Sequence, residues 1–132
     1  MLQQTQVKTV IPYFNKFIKK YKSIESFSKI NEEKILKLWE GLGYYRRARN
    51  LLASANILVK EHKSKLPKTL NEIKRLPGVG DYTANALLGL IHNRPTIAVD
   101  GNVKRVFSRY LNRYETKINF EKLISTNKKK LF

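Results

Sequence analysis

Cysteine is absent from the 132 residues, which excludes disulfides, thiolate zinc sites and any thiolate-held iron–sulfur cluster built from them. Histidine occurs only at His62 and His92, too few for a metal site, and both read as surface residues of helices. No apolar run approaches the roughly 20 residues of a membrane span. The N-terminus lacks the basic-then-apolar order of a signal peptide, so a soluble, intracellular protein with no membrane partner is expected. There is no alternating strand pattern, internal repeat or low-complexity linker. Acidic residues are scarce, with 10 Asp and Glu against 27 Lys and Arg for a formal net charge of +17. The cations are spread along the chain and not gathered in a tail. That favours nucleic acid as partner, although a ribosomal-type, lysine-rich or membrane-surface protein can carry the same charge. At this length, with 42% hydrophobic residues, the chain holds one domain, or a domain and a fragment, around a modest core.

What is present is helical. Val7, Val10, Ile11, Phe14, Phe17, Ile18 and Tyr21 recur at three- and four-residue steps and predict one helix face, with Thr5 as N-cap and Pro12 as a kink or second start. After a polar connection, Asn31 caps a short helix with Ile35, Leu38 and Trp39 facing inward. Gly41 then stands where a helix C-terminus wants positive φ, and Gly41-Leu42-Gly43 reads as a tight turn. Tyr45, Ala48, Leu52, Ala55 and Val59 mark the next helix, stopped by Pro67, and Thr69 with Glu72 forms a capping box for another that ends before Pro77. Asn93 to Pro95 break the pattern and Thr96 to Val99 look extended. Asp100-Gly101-Asn102 opens a helix lined by Val103, Val106, Phe107 and Tyr110, and a last helical pattern begins near Phe120.

Between residues 76 and 84, Leu76-Pro77-Gly78-Val79-Gly80-Asp81-Tyr82-Thr83-Ala84 joins two of these helices into a hairpin. Its glycines let the amides around Gly78, Val79 and Gly80 turn outward at a helix N-terminus, where a phosphate oxygen can be held without reading bases. An ordinary interhelical turn is the other reading, and the positive charge of the chain favours the phosphate site. Taken singly, the remaining residues of interest have structural explanations. Asp100 fits an N-cap, Gln3, Gln4 and Thr5 a frayed polar end, and Tyr44 and Tyr45 half-buried aromatics.

Together they form a pattern. Met1-Leu2-Gln3-Gln4-Thr5-Gln6-Val7, then Trp39-Glu40-Gly41-Leu42-Gly43-Tyr44-Tyr45-Arg46-Arg47-Ala48-Arg49-Asn50, then the hairpin, then Val99-Asp100-Gly101-Asn102-Val103-Lys104-Arg105-Val106 resemble, in this order, the MutY adenine glycosylase family. That family belongs to the helix-hairpin-helix, or endonuclease III, superfamily. The resemblance covers nearly all of the chain. The hairpin followed by an aspartate is shared by the superfamily, whereas Leu-Gln-Gln-Thr, Gly-Leu-Gly-Tyr-Tyr and Asp-Gly-Asn-Val are particular to MutY.

The resemblance implies removal of adenine mispaired with 8-oxoguanine or guanine in double-stranded DNA, by a monomer, as the first step of base excision repair. It implies that Gln4 and Tyr44 wedge into the duplex, with Gln3, Thr5 and Leu42 near the 8-oxoguanine side. Asp100 would stabilise or capture the sugar cation, Tyr82 and Asn102 would orient it, and Arg46, Arg47, Arg49 and Lys104 would contact phosphates. It also implies a general-acid glutamate just upstream of Met1, and a 4Fe-4S cluster whose cysteines lie beyond Phe132. The chain is therefore expected to be a fragment, weakly active or inactive, with no cofactor of its own.

Two alternatives remain beside this one. An endonuclease III-like lyase needs a lysine where this chain has Tyr82, and Thr-His after the aspartate where it has Gly-Asn. A non-catalytic helix-hairpin-helix DNA-binding fragment is the other. The expected fold is all-α, with residues 1–95 forming most of a six-helix-type module and 96–132 beginning a second that carries the aspartate loop.

Overall fold

The structure, a computed structural model, describes residues 1–120, 122, 123 and 126. It is all-helical, with α1 (Val7–Lys20), α2 (Ile24–Ser28), α3 (Glu32–Trp39), α4 (Arg46–Glu61), α5 (Leu70–Lys74), α6 (Asp81–His92), α7 (Gly101–Leu111) and a 3-10 turn at Glu115–Lys117. No strand occurs among the described residues, and Thr96 to Val99 run without regular structure. Most of the pattern predicted from Phe120 onward lies outside the described residues. Among the described residues no helix is long and apolar enough to cross a membrane.

Two compact units are present, one of residues 1–67 with 75–78 and one of residues 68–74 with 79 onward. α5 packs on α6, and both belong to the second unit. In the first unit, Val10, Phe17, Phe27, Ile35, Trp39, Leu42, Ala48 and Ala55 form the core. Phe17 lies 5.8 Å from Phe27 and meets the Trp39 ring edge-on at 6.2 Å, favourable geometries for aromatic pairs. In the second unit, Ile73, Ala84 and Leu88 are buried, whereas α7 has no buried residue. Phe107 of α7 meets Phe120 edge-on at 6.0 Å.

Local signals account for the helix ends. Asn31 accepts from the Lys34 amide at 3.0 Å, the Thr69 hydroxyl accepts from the Glu72 amide at 3.4 Å and donates to the Glu72 carboxylate in place of the reciprocal bond of the expected capping box, and Asn93 and Asn112 close α6 and α7 in the left-handed conformation that asparagine tolerates. Three expectations differ from the structure. Gln6, not Thr5, precedes α1, and it contributes no side-chain cap. Pro12 lies inside α1 without breaking it, on the exposed side where the carbonyl it leaves without a donor can be hydrated. The apolar arc of α1 is wider than its contact, so Val10 and Phe17 are buried while Val7, Ile11, Phe14 and Ile18 stay about half exposed. The polar connection also hides α2, which starts on a capping box formed by Ser23 and Ser26.

Candidate functional site

In the first unit, the N-terminal segment and the turn after α3 meet at the start of α4. Gln4 has φ 55° and Tyr44 φ 48°, two non-glycine residues in the left-handed region, where an L-residue pays roughly 1–2 kcal/mol. Both side chains are exposed, Tyr44 by 66%, so neither conformation serves the core. Strain retained at an exposed side chain points to function. Gln3 is exposed and Thr5 half-buried, with the Thr5 hydroxyl 3.4 Å from the Gln3 carbonyl. The Leu42 side chain belongs to the core, only 6% exposed, so it is its neighbours that present groups to solvent.

Three arginines open α4, with no acidic residue in its first turn. Cations at a helix N-terminus oppose the macrodipole, so they are not there for the helix. Arg46 is exposed. Arg49 is exposed as well and pairs with Glu32 at 2.5 Å, a surface pair that contributes little to stability. Arg47 differs from the expectation of a phosphate contact, because its guanidinium turns inward onto backbone carbonyls. One terminal nitrogen donates to Met1 O at 2.7 Å and to Gln3 O, the other to Leu42 O at 3.3 Å and Gly43 O at 3.2 Å. Its carbon lies 5.5 Å from the Trp39 ring centre and 5.6 Å from that of Tyr44. Burial, with the Arg47 charge adding to it, pulls the Met1 ammonium below its ordinary value.

The hairpin begins in this unit. Ser54 donates to Pro77 O at 3.3 Å and Gln3 Nε2 to Gly78 O at 3.4 Å. A Cβ on Gly78 would sit 2.5 Å from the Asn50 amide nitrogen, and its φ of +76° already requires glycine. Sequence reasoning assigned Asn50 and Ser54 no role. The available signal was their spacing from Arg47, three and seven residues on, which gives α4 a polar stripe on one side.

In the second unit, Gly80 precedes α6 with φ −92°, open space around it and no side chain to cap the first amides. The Lys74–Asp81 ion pair, 2.5 Å, ties α5 to the start of α6. Asp100 is the N-cap of α7. Its Oδ1 accepts from the Val103 amide at 2.8 Å, and Asn102 Nδ2 donates to Oδ2 at 3.4 Å. The cap therefore fixes one carboxylate oxygen and leaves the other available. Tyr82, in the first turn of α6, is half exposed and makes no hydrogen bond to this pair, and Lys104 is exposed on α7. Among the described residues no cluster of His, Asp or Glu could hold a metal ion.

A glycine hairpin, a capped and half-buried aspartate twenty residues after it and exposed strained residues on a basic chain define the class, and residues 1–130 match the HhH-GPD superfamily of base excision DNA repair proteins. The chain belongs to that superfamily. Within it the chain is similar to the adenine DNA glycosylase of Buchnera aphidicola subsp. Baizongia pistaciae, 48% identical over 127 residues that make up 94% of this chain and 35% of that protein. It is 42% identical to the adenine DNA glycosylase of Homo sapiens over 110 residues, 83% of this chain and 20% of the human protein. The chain thus spans only a minor part of these relatives. Among solved structures, a thermostable thymine-DNA glycosylase superposes over 98% of this chain and 61% of its own, with TM-score 0.82 and 29% identity. A trapped covalent intermediate of endonuclease III with DNA superposes over 80% and 50%, with TM-score 0.73 and 27% identity.

Proposed function

We propose that a protein carrying this chain removes adenine mispaired with 8-oxoguanine or guanine from double-stranded DNA, hydrolysing the N-glycosidic bond as a monomer in the bacterial nucleoid. The observation that carries this reading is the pair Gln4 and Tyr44, exposed and left-handed in a chain similar to adenine DNA glycosylases. An amide and an aromatic ring can both stack and hydrogen-bond, which suits them to fill the gap that a flipped base leaves. Asp100 faces the sugar in this reading. As the bond from C1′ to the adenine nitrogen breaks, its free carboxylate oxygen stabilises or captures the oxocarbenium ion, water supplies the hydroxyl at C1′, and adenine leaves with a proton. Asn102 and Tyr82 orient that carboxylate and the sugar. The family's 4Fe-4S cluster does not fit the residues present, since a thiolate-held cluster needs cysteines and this chain has none.

The backbone of the duplex is gripped by the hairpin amides of Gly78, Val79 and Gly80 and by Arg46, Arg49 and Lys104, with Arg49 exchanging Glu32 for phosphate. Binding of this kind falls steeply with salt, by about 10³–10⁵ between 50 and 200 mM for six to ten phosphate contacts. Gly80 offers a clean test because its φ and surroundings accept a side chain in the free protein. Gly80→Val is expected to leave the fold intact and weaken binding to all duplexes alike, by roughly the 1.5–3 kcal/mol of one charge-assisted hydrogen bond. Titration of matched and mispaired duplexes checks it. Unchanged affinity in the folded variant removes the hairpin from the interface.

The second expected outcome concerns strand cleavage. A lyase forms an imine with the abasic sugar through an amine, and the phenol of Tyr82 cannot. Product strands should therefore break only on adding alkali. Borohydride should trap no covalent complex with abasic DNA, and trapping at the yield of a true lyase would restore the endonuclease III-like reading.

A further inference from the structure

We infer that Arg47 is the positioning residue for both duplex-entering side chains, one guanidinium holding Gln4 and Tyr44 in their left-handed conformations. The inference rests on the reading of these two residues given above and adds what sets their geometry. They lie forty positions apart and belong to different segments. What they share is Arg47, whose side chain donates to Gln3 O and to Gly43 O, the carbonyls of the peptide groups immediately before Gln4 and Tyr44. The angle φ is rotation about the N–Cα bond, so it is set by where the preceding peptide plane lies. Pinning those two carbonyls fixes one side of both rotations.

Tyr44 is held on its other side as well, because the Arg47 amide donates to Tyr44 O at 2.9 Å. Both peptide planes flanking Tyr44 thus bond to one residue, and its ring lies 5.6 Å from the guanidinium carbon. The same guanidinium lies against Trp39, which is 1% exposed and in turn donates from Nε1 to Gly43 O at 3.1 Å. Rigidity therefore passes from the aromatic core through Arg47 to two exposed side chains. Only arginine can do this. Its terminal nitrogens present four N–H donors in a fixed plane and all four have acceptors here, whereas lysine offers a single point of three donors and cannot span Met1, Gln3, Leu42 and Gly43 together.

Arg47→Lys keeps the stem and the charge and loses the fork, and Arg109→Lys is its control at an exposed arginine of α7. Two measurements are made on each. NMR of the folded chain reads the backbone conformation at Gln4 and Tyr44, which a role in stability alone does not move. Duplex titration gives the ratio of affinities for mispaired and matched DNA. In Arg47→Lys, Gln4 and Tyr44 are expected to leave the left-handed region, and the preference for the mispair to fall by about tenfold with matched-duplex affinity nearly unchanged. Arg109→Lys should keep both the conformations and the preference. Left-handed Gln4 and Tyr44 persisting in Arg47→Lys would overturn the inference whatever the DNA shows, as would an undiminished preference. Failure of the functional reading looks different, since the parent chain would then show no preference for a mispair while Arg47→Lys still altered the two conformations.

Discussion

Asp100→Asn is expected to abolish most of the proposed excision while leaving the fold in place, with the single-turnover release of adenine falling by about 10²–10³-fold, the scale for removing one preorganised electrostatic group from a transition state. The expectation follows from the two oxygens of Asp100 doing different things. Oδ1 caps α7 through the Val103 amide, and Oδ2 is left to a long contact with Asn102. Asparagine caps a helix about as well as aspartate, so the substitution spares the cap and removes the charge proposed to stabilise the sugar cation. Asp100→Ala removes both, costing about 1 kcal/mol of stability besides the activity. The measurement uses a chimera in which this chain replaces the matching residues of the Buchnera aphidicola adenine DNA glycosylase to which it is similar, on duplex with adenine opposite 8-oxoguanine. Thermal melts of the two variants separate folding from chemistry. Full activity of the asparagine variant would reduce Asp100 to a helix cap.

Trp39→Ala is expected to be the most damaging change to stability, about 3–5 kcal/mol, the range for deleting a large buried aromatic ring. Against a total of about 5–15 kcal/mol for a domain, that leaves the first unit barely folded at 37 °C. Trp39 is the largest of the fully buried side chains and meets Phe17 edge-on. Its loss also removes the surface on which the Arg47 guanidinium rests and the donor to Gly43 O. Trp39→Phe retains a ring and part of the volume, and should cost distinctly less. Denaturant titration of both variants, followed by circular dichroism, checks the order. Similar stability for Trp39→Ala and the parent would mean that this core is not what holds the unit together.

Helix positions and most caps were legible in the sequence, since Asn31, Thr69 and Asp100 act locally and the amides they accept from lie three residues away. Positive φ at Gly41 was legible for the same reason. What escaped was decided by contacts distant in sequence. Arg47 looks like any cation of a basic helix until Met1, Gln3, Leu42 and Gly43 are brought to it. Burial of the Leu42 side chain is likewise visible only in the folded core. The apolar arc of α1 gives no means of telling which of its edges packs, and the structure buries the Val10–Phe17 edge. The site residues in the second unit rest on the motif Val99 to Val106 and on chemistry, because Tyr82 makes no hydrogen bond to Asp100 or Asn102.

Gln4 and Tyr44 both hold a left-handed backbone in this structure. A protein that forms its intercalating shape only on the duplex must cross a rearrangement after encounter, and its association then shows a second phase whose rate levels off with concentration. On the proposed reading of Gln4 and Tyr44 as the wedge, no such rearrangement is expected. Stopped-flow binding should therefore give a first wedging step that stays proportional to protein concentration. Any slow phase would belong to the extrusion of the base from the helix, so its rate should follow how weakly that base is stacked and paired and be indifferent to the protein concentration.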